Sequence, residues 1–383
     1  MLILLKSTLE TLNYFIDSMA EGHPDAIILD VNDPQFIADI TRLLPLMDET
    51  WTVVTFNNGG RSCDYSGGSN IWEATGVKFY NFLVDHPVNY TGYFDAPLAN
   101  EIFFVIDKKH TQFINWYYPG VQAYFMPHGG TRRPGAIPWR EREIAVLYCG
   151  SCQPEIADVP PLPQFPDGGR AFYAYVGYEM QGNISLRTEE AVRQYLAREN
   201  ITLSKEDEIQ AILYAHGTVE RMIRRKLKMA VIGHLAAKGI PIEIYGTHWE
   251  EVAALYPDLI NVHERVSSDE CVRLAANAKI YLNLSTYYLD GTHERVYIAM
   301  QNGAICLTEQ SHYLIEKFEH GRDIVFLDYS QLDVLGDDVL FLLTHPDEAE
   351  AIVASGQARA AHSTWSDRLD DIIHGTYDPP TTP

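Results

Sequence analysis

The 383-residue chain has no surplus of positive charge: 29 lysines and arginines stand against 52 aspartates and glutamates, a formal net charge of −23. A surface of that sign repels phosphate backbones, which argues against a nucleic-acid binder. One phosphate-bearing small molecule in a local pocket is still allowed, because net charge does not set the field inside a cleft. Long apolar runs are missing as well. No stretch approaches the roughly 20 apolar residues that span a bilayer, so no transmembrane segment is expected. The opening MLILLKSTLETL has too short an apolar run and no basic start for a secretory signal, and it reads as a first strand. Cysteine is scarce and odd in number: Cys63, Cys149, Cys152, Cys271 and Cys306. The Cys149-Gly-Ser-Cys152 spacing has no second pair to complete a zinc site, so buried or idle thiols in a reducing, cytoplasmic compartment are the expectation.

What is present is an ordinary globular composition, 46% hydrophobic and 21% charged, in a length that suggests two domains. Apolar runs rich in β-branched and aromatic residues (MLILLK, DAIILDV, WTVVTF, KFYNFLVD, EIFFVID, AYFMP) alternate with segments of helical period. That alternation predicts an α/β fold with a parallel sheet covered on both faces, over residues 1–130. TRRPGAIPWRER, residues 131–142, has the composition of a linker. A second alternating series (EIAVLYCGS, PIEIYG, LINV, KIYLNLS, AICLTE, DIVFLD) fills residues 143–360, interrupted by a proline-rich loop and helices near 151–218. Residues 361–383 form a C-terminal helix and tail that can pack back on the N-terminal domain. Two doubly wound, Rossmann-like domains in tandem leave a central cleft between the carboxyl ends of their strands, where ligands bind.

His-Glu-Arg-Val occurs twice, at His263–Val266 and at His293–Val296, with unlike flanks, so it is not a structural repeat. The second copy is the informative one. KIYLNLSTYYLDGTHERVYIAMQNGAICLTEQS reads as strand, loop, helix, strand, and sets Asp290, Gly291, His293, Glu294 and Arg295 at a helix N-terminus. Backbone N–H groups there favour a diphosphate, Arg295 can add a forked contact, and the acids can accept from sugar hydroxyls. The same residues read equally well as a helix cap with surface ion pairs. Three candidates for a general base lie at the ends of first-domain strands. Asp85 and His86 follow FYNFLV, although Asp-x-Pro also makes a common turn. His128, in MPHGG, has the side chain best suited to proton transfer near neutrality. Asn57-Asn58-Gly59-Gly60 opens a glycine-rich stretch readable as a loop over an acceptor, and it lacks P-loop spacing. Asp30-Val31-Asn32-Asp33 lacks the spacing of a metal-binding Asp-x-Asp, so no metal site is expected.

The segment Ala299-Met300-Gln301-Asn302-Gly303-Ala304-Ile305 resembles the donor-binding region of GT-B glycosyltransferases, many of which carry Glu, seven residues, Glu, then Ala-Met-x-x-Gly. Asp290-Gly291 stands where their first Glu-Gly would be. Their second Glu falls on Ile298, and Glu294, one turn earlier, is the substitute. Residues 224–373 further resemble the spore-maturation-type (CgeB-like) glycosyltransferases, more loosely matched by FLVDHPVNY, VIDKKHTQFI and YFMPHGG. The resemblance implies a GT-B fold and a metal-independent sugar transfer from a nucleotide-sugar donor, a UDP-sugar first, to a glycan, protein or other hydroxyl. It also implies donor contacts from Gly150 and Ser151 after the first strand of the second domain, from Tyr245 and Gly246 near the base, and from Arg265. No cofactor is expected, since the nucleotide-sugar is a co-substrate. A nucleotide-sugar 2-epimerase on the same fold, or a non-catalytic sugar- or nucleotide-binding protein, are the rival readings.

Overall fold

The computed structural model describes residues 1–64, 69–135 and 137–377. It is organised by two six-stranded parallel sheets. The first contains β1 (Leu2–Lys6), β2 (Ile27–Asp30), β3 (Thr52–Phe56), β4 (Lys78–Leu83), β5 (Glu101–Val105) and β6 (Ala123–Phe125), in the order β2-β1-β3-β4-β5-β6. The second contains β7 (Ile144–Cys149), β8 (Ile242–Tyr245), β9 (Ile260–His263), β10 (Ala278–Asn283), β11 (Ile305–Glu309) and β12 (Val325–Leu327), in the order β12-β11-β10-β7-β8-β9. All twelve coincide with the apolar runs of the sequence. The central strands are buried on both faces, as in β4 from Phe79 to Leu83, which is the burial a helix-covered parallel sheet demands, while the edge strands β2 and β9 are partly exposed. In each sheet the first strand is internal and the strand order reverses beside it, between β1 and β3 and between β7 and β10. These reversals are topological switch points, where a crevice opens at the carboxyl ends of the strands.

One assignment needs correcting. Residues 143–360 were expected to form the second domain throughout, yet the helices Arg170–Gly182, Thr188–Arg198 and Lys205–Ala215 share a hydrophobic core with the first sheet. Phe172, Val176, Met180, Val192 and Ile212 pack with Phe103, Val105, Phe113 and Ile114. The physical reason is an apolar face on β5 and the helix Lys108–Tyr117, which the short helix Thr91–Phe94 covers in part through Phe94 and the insert covers further. The insert returns to the second domain through one turn of π-helix, His216–Glu220, which runs into the helix Arg221–Ala237.

The chain also returns to the first domain at its end. Trp365 opens the helix Trp365–His374 and is 1% exposed, stacked on Phe15 at 4.6 Å and edge-on to Phe56 and Phe82. Gly129 and Gly130 are required here: a Cβ on Gly129 would stand 2.4 Å from Trp365 N, and one on Gly130 2.7 Å from Tyr297 Cβ. These glycines serve a backbone crossing, stitched by Gly130 N donating to Ser363 O at 2.8 Å and Trp365 N donating to Gly130 O at 3.1 Å. Truncating Trp365 to Ala should destabilise the protein by about 3–5 kcal/mol, the range for deleting a buried large aromatic. Chemical denaturation checks this, and a change below about 1 kcal/mol would mean that the C-terminal helix is not part of the first domain's core.

Candidate functional site

At the switch point of the second sheet, a cavity of about 330 Å³ lies between the two domains. Its floor is the carboxyl ends of β7 and β8, with Gly150, Ser151 and Tyr245, and its walls include Arg265 and the start of the helix Glu294–Gln301. Thr11, Tyr14 and Phe15, on the first-domain helix Glu10–Ala20, close it from the other side. That closure is held where Glu10 Oε1 accepts the backbone N–H of Ser268 at 3.2 Å.

Arg295 dominates the electrostatics. Its guanidinium lies over the Tyr148 ring at 5.5 Å, and Nη2 donates to His293 Nε2 at 3.0 Å. The other nitrogen, Nη1, is buried without a hydrogen-bond partner, 3.3 Å from where a side chain on Gly150 would begin. Glycine at 150 therefore leaves room beside this guanidinium edge and the Tyr148 hydroxyl that interacts with it. Next to it are the first N–H groups of the Glu294 helix, so the arrangement is a ready site for an anion. His293 Nδ1 stands 2.6 Å from Glu294 Oε2 and also caps the helix, 3.4 Å from Arg295 N and 3.2 Å from Arg295 Nε. Burial, then the neighbouring Arg295 charge, pulls the His293 pKa down to about 4.

Of the residues expected at the donor, Gly150, Ser151, Tyr245, Arg265, His293, Glu294 and Arg295 all line this cavity. The Glu294 carboxylate lies between two imidazoles, with Oε2 2.6 Å from His293 Nδ1 and 3.8 Å from His128 Nε2. Ile298 also lines the cavity, so the wall is apolar where the resemblance would put a carboxylate. Asp290 and Gly291 lie elsewhere. Asp290 N donates to Asp107 Oδ2 at 2.9 Å, and a Cβ on Gly291 would fall 2.1 Å from Ile106 O, so this pair straps the second domain to the end of β5. Gly246 is a spacer: a Cβ there would stand 2.3 Å from Gly150 O.

The sequence showed no cation beside Gly-Ser-Cys-Gln-Pro-Glu, but folding brings two. Lys228 Nζ donates to Ser151 O at 3.2 Å and Arg225 Nη1 to Gln153 O at 2.8 Å. Both come from the helix Arg221–Ala237, and its basic run RMIRRKLK was the available signal.

The three candidate bases part company. Asp85 is exposed at the end of β4, accepting from Asn57 Nδ2 at 3.1 Å and from Tyr90 OH at 2.8 Å. His86 has no free lone pair: Nδ1 accepts the Val88 N–H at 3.1 Å, which puts the proton on Nε2, 3.5 Å from Glu189. His128 is 2% exposed, and its Nδ1 donates to Thr292 O at 2.8 Å across the domain boundary. Residues 65–68 of the glycine-rich stretch lie outside the described residues, as do 378–383 of the tail. Among the described residues, no group of His, Cys, Asp and Glu is arranged to hold a metal ion, and no helix is long and apolar enough to cross a membrane.

Residues 224–374 match the model of a protein family described as Glycosyl transferase-like. No curated protein matches the chain. Among solved structures it is similar to a sucrose-phosphate synthase from Thermosynechococcus elongatus, at 10% identity and a TM-score of 0.54, over 98% of both chains. It is also similar to an alpha-glucosyltransferase determined with UDP-glucose and DNA containing an abasic site, at 8% identity and a TM-score of 0.53, over 97% of this chain and 98% of that one. The chain spans only 57% of the length of a third similar structure, TarM, at 9% identity and a TM-score of 0.46. At such identities the likeness establishes the fold, which is the two-domain GT-B architecture.

The imidazoles around the domain boundary share one property. Burial holds His86, His110, His128 and His293 below the ordinary histidine range. Glu189, Glu220 and Glu294 are held below the carboxylate range, because their histidine and arginine partners outweigh the opposing effect of burial. For a histidine depressed on folding, the unfolded chain binds more protons, so stability is full above about pH 6.5 and drains as pH falls through that value. The depressed carboxylates lose their contribution lower, below about pH 4.5. Asp107, raised to about 6 by burial, runs the other way, one group against several. Melting temperature should therefore fall as pH is lowered from about 7.5 to about 5, before ordinary carboxylates titrate. A flat profile across that window would mean that these histidines are not neutral in the folded protein.

Proposed function

We propose that this chain is a glycosyltransferase that moves a sugar from a nucleotide-sugar donor to a hydroxyl of a glycan, protein or other acceptor. The observation that carries the reading is the unpartnered edge of Arg295 beside Gly150, at a helix N-terminus, inside an interdomain cavity at a switch point. A donor diphosphate complements that edge, and Arg265 and Tyr245 stand where a base or ribose would lie. Arg225 and Lys228 add positive field behind the Gly150 loop. As the sugar–phosphate bond breaks, charge grows on the departing diphosphate, where a guanidinium and helix dipole fixed in a largely closed cleft act best. Asp85 is the base candidate with an exposed carboxylate, whereas His86 and His128 are committed to internal partners. Kinship with the spore-maturation-type (CgeB-like) enzymes, a UDP-sugar as donor, independence of divalent metal and a cytoplasmic location belong to the same proposal. The motifs of residues 224–373 and the scattered free cysteines support them.

Calorimetry with UDP-, GDP-, dTDP- and CMP-sugars tests the reading. One of them, a UDP-sugar first, should bind equally with and without a chelator. Binding that a chelator abolishes and manganese restores would overturn metal independence, and binding of none would overturn the transferase itself.

The twin motifs should also prove unequal. Arg295→Lys keeps the charge but loses the planar fork, and its kcat/KM should fall by about 10- to 100-fold, the equivalent of one charge-assisted hydrogen bond. Arg265 is exposed on the opposite wall, so Arg265→Lys should be milder. Equal losses in two equally stable proteins, or a larger loss at Arg265, would remove the diphosphate assignment from Arg295.

A further inference from the structure

A second and larger cavity, of about 650 Å³, opens at the carboxyl ends of β10, β11 and β12. It shares one wall residue, His293, with the cavity that holds Arg295. Its outer wall is the insert and the helix after it, through Met180, Gln181 and Gly182 and through Ile223, Lys226 and Leu227. The insert thus supplies one part of the wall that bounds this space.

Its floor is a rigid polar frame. Glu309, at the end of β11, accepts from Ser285 N at 2.9 Å, Thr286 Oγ1 at 3.0 Å and Tyr329 OH at 2.7 Å. Two further observations at Tyr287 point to a ligand. Its φ is +78°, in the left-handed region that bulky side chains avoid, at a cost of order 1–3 kcal/mol. Its hydroxyl is buried with no hydrogen-bond partner, and the residue lies between this cavity and a smaller one that contains Glu220 and Arg224. A strained aromatic whose polar end is unsatisfied marks a place where a ligand can supply the missing partner.

The lining narrows the chemistry. Among its described residues one lysine, Lys226, stands against the carboxylates Glu309 and Asp328, so this is no phosphate cradle. Hydroxyl, carboxylate and amide groups alternate with tyrosine rings and apolar side chains, the complement of a pyranose with its hydroxyl edge and its C–H face. We propose that this second cavity binds a carbohydrate unit of the acceptor and that the insert is there to form it. This inference rests on the transferase reading, with the donor on the Arg295 side of His293 and the acceptor on the other.

Gly182 makes the test clean. It ends its helix at the cavity wall, and a Cβ there meets nothing within 4 Å, so a larger side chain can enter the space without displacing backbone. The full chain and its Gly182→Phe and Gly182→Ala variants, checked for equal melting temperature, are titrated with UDP and UDP-glucose. They are then titrated with the methyl glycosides of glucose, galactose, mannose and N-acetylglucosamine. At least one glycoside should bind the parent and Gly182→Ala, and bind Gly182→Phe about tenfold or more weakly, while UDP and UDP-glucose hold within about twofold. If none of the four glycosides binds while UDP does, or if Gly182→Phe leaves glycoside binding intact, the cavity is not a carbohydrate site. A selective loss of UDP-glucose in Gly182→Phe would assign the space to the donor sugar and overturn the acceptor assignment. Glycoside binding with no binding of UDP would remove the transferase reading and the acceptor role with it.

Discussion

A guanidinium taken out of water at the end of a parallel sheet must be compensated, and Arg295 is compensated along one edge only. Exposed, it would cost little and do little, since water would screen it. Enclosed between Tyr148, Gly150 and His293, with Nη1 unpartnered, it carries a desolvation cost that an incoming anion relieves. Much of the neighbourhood follows from that constraint. His293 must be neutral to accept from Arg295, and Glu294 lies between it and His128 of the first domain. In a chain of net charge −23, this local reversal of sign is what lets a phosphate approach.

The same relay joins the domains. His128 donates to Thr292 O, Asp107 accepts from Asp290 N, and Gly291 lets the two backbones meet. A second buried cluster lies close by: Glu220 accepts from Thr188 Oγ1 at 2.5 Å and pairs with Arg224 at 2.6 Å, while Glu189 pairs with Arg187 at 2.7 Å and faces His86. It ties the insert to both domains around the π-turn, an irregularity that is commonest at functional sites. Buried pairs of this kind contribute little net stability, but breaking one leaves an uncompensated charge, so they favour a single arrangement of three parts. The loop 285–293 lies between these clusters, which is how a residue as strained as Tyr287 can be held.

The fold was legible in the sequence because parallel strands are buried on both faces and read as continuous apolar runs; all twelve stood out. The insert's location did not, because nothing local to Phe172 or Val176 says which sheet they will meet. The site was legible wherever a motif sits next to its own function, as Arg295 does at its helix mouth. It was misread wherever one residue type serves two purposes. Asp290-Gly291 looked like a donor contact, and its glycine also serves a backbone crossing against Ile106 and Asp107 while lining the second cavity. Glu294 looked like a free acceptor, and its Oε2 faces His293 at 2.6 Å and His128 at 3.8 Å. Lys228 and Arg225 were missed because the helix that carries them is separated from Ser151 by the whole insert.

This last point bears on how the insert and the chemistry are related. In a plain doubly wound domain the helix after β7 would follow at once and its basic residues would lie near the Gly150 loop. Here 170–220 is looped out onto the first domain, and the helix Arg221–Ala237 still returns Lys228 to Ser151. The detour therefore leaves the anion site intact and adds a wall elsewhere. The two faces of that returning helix divide the work: Arg225 and Lys228 hold the Gly150 loop, and Ile223, Lys226 and Leu227 line the second cavity. A helix that contributes to both spaces keeps them in fixed register, with His293 between them.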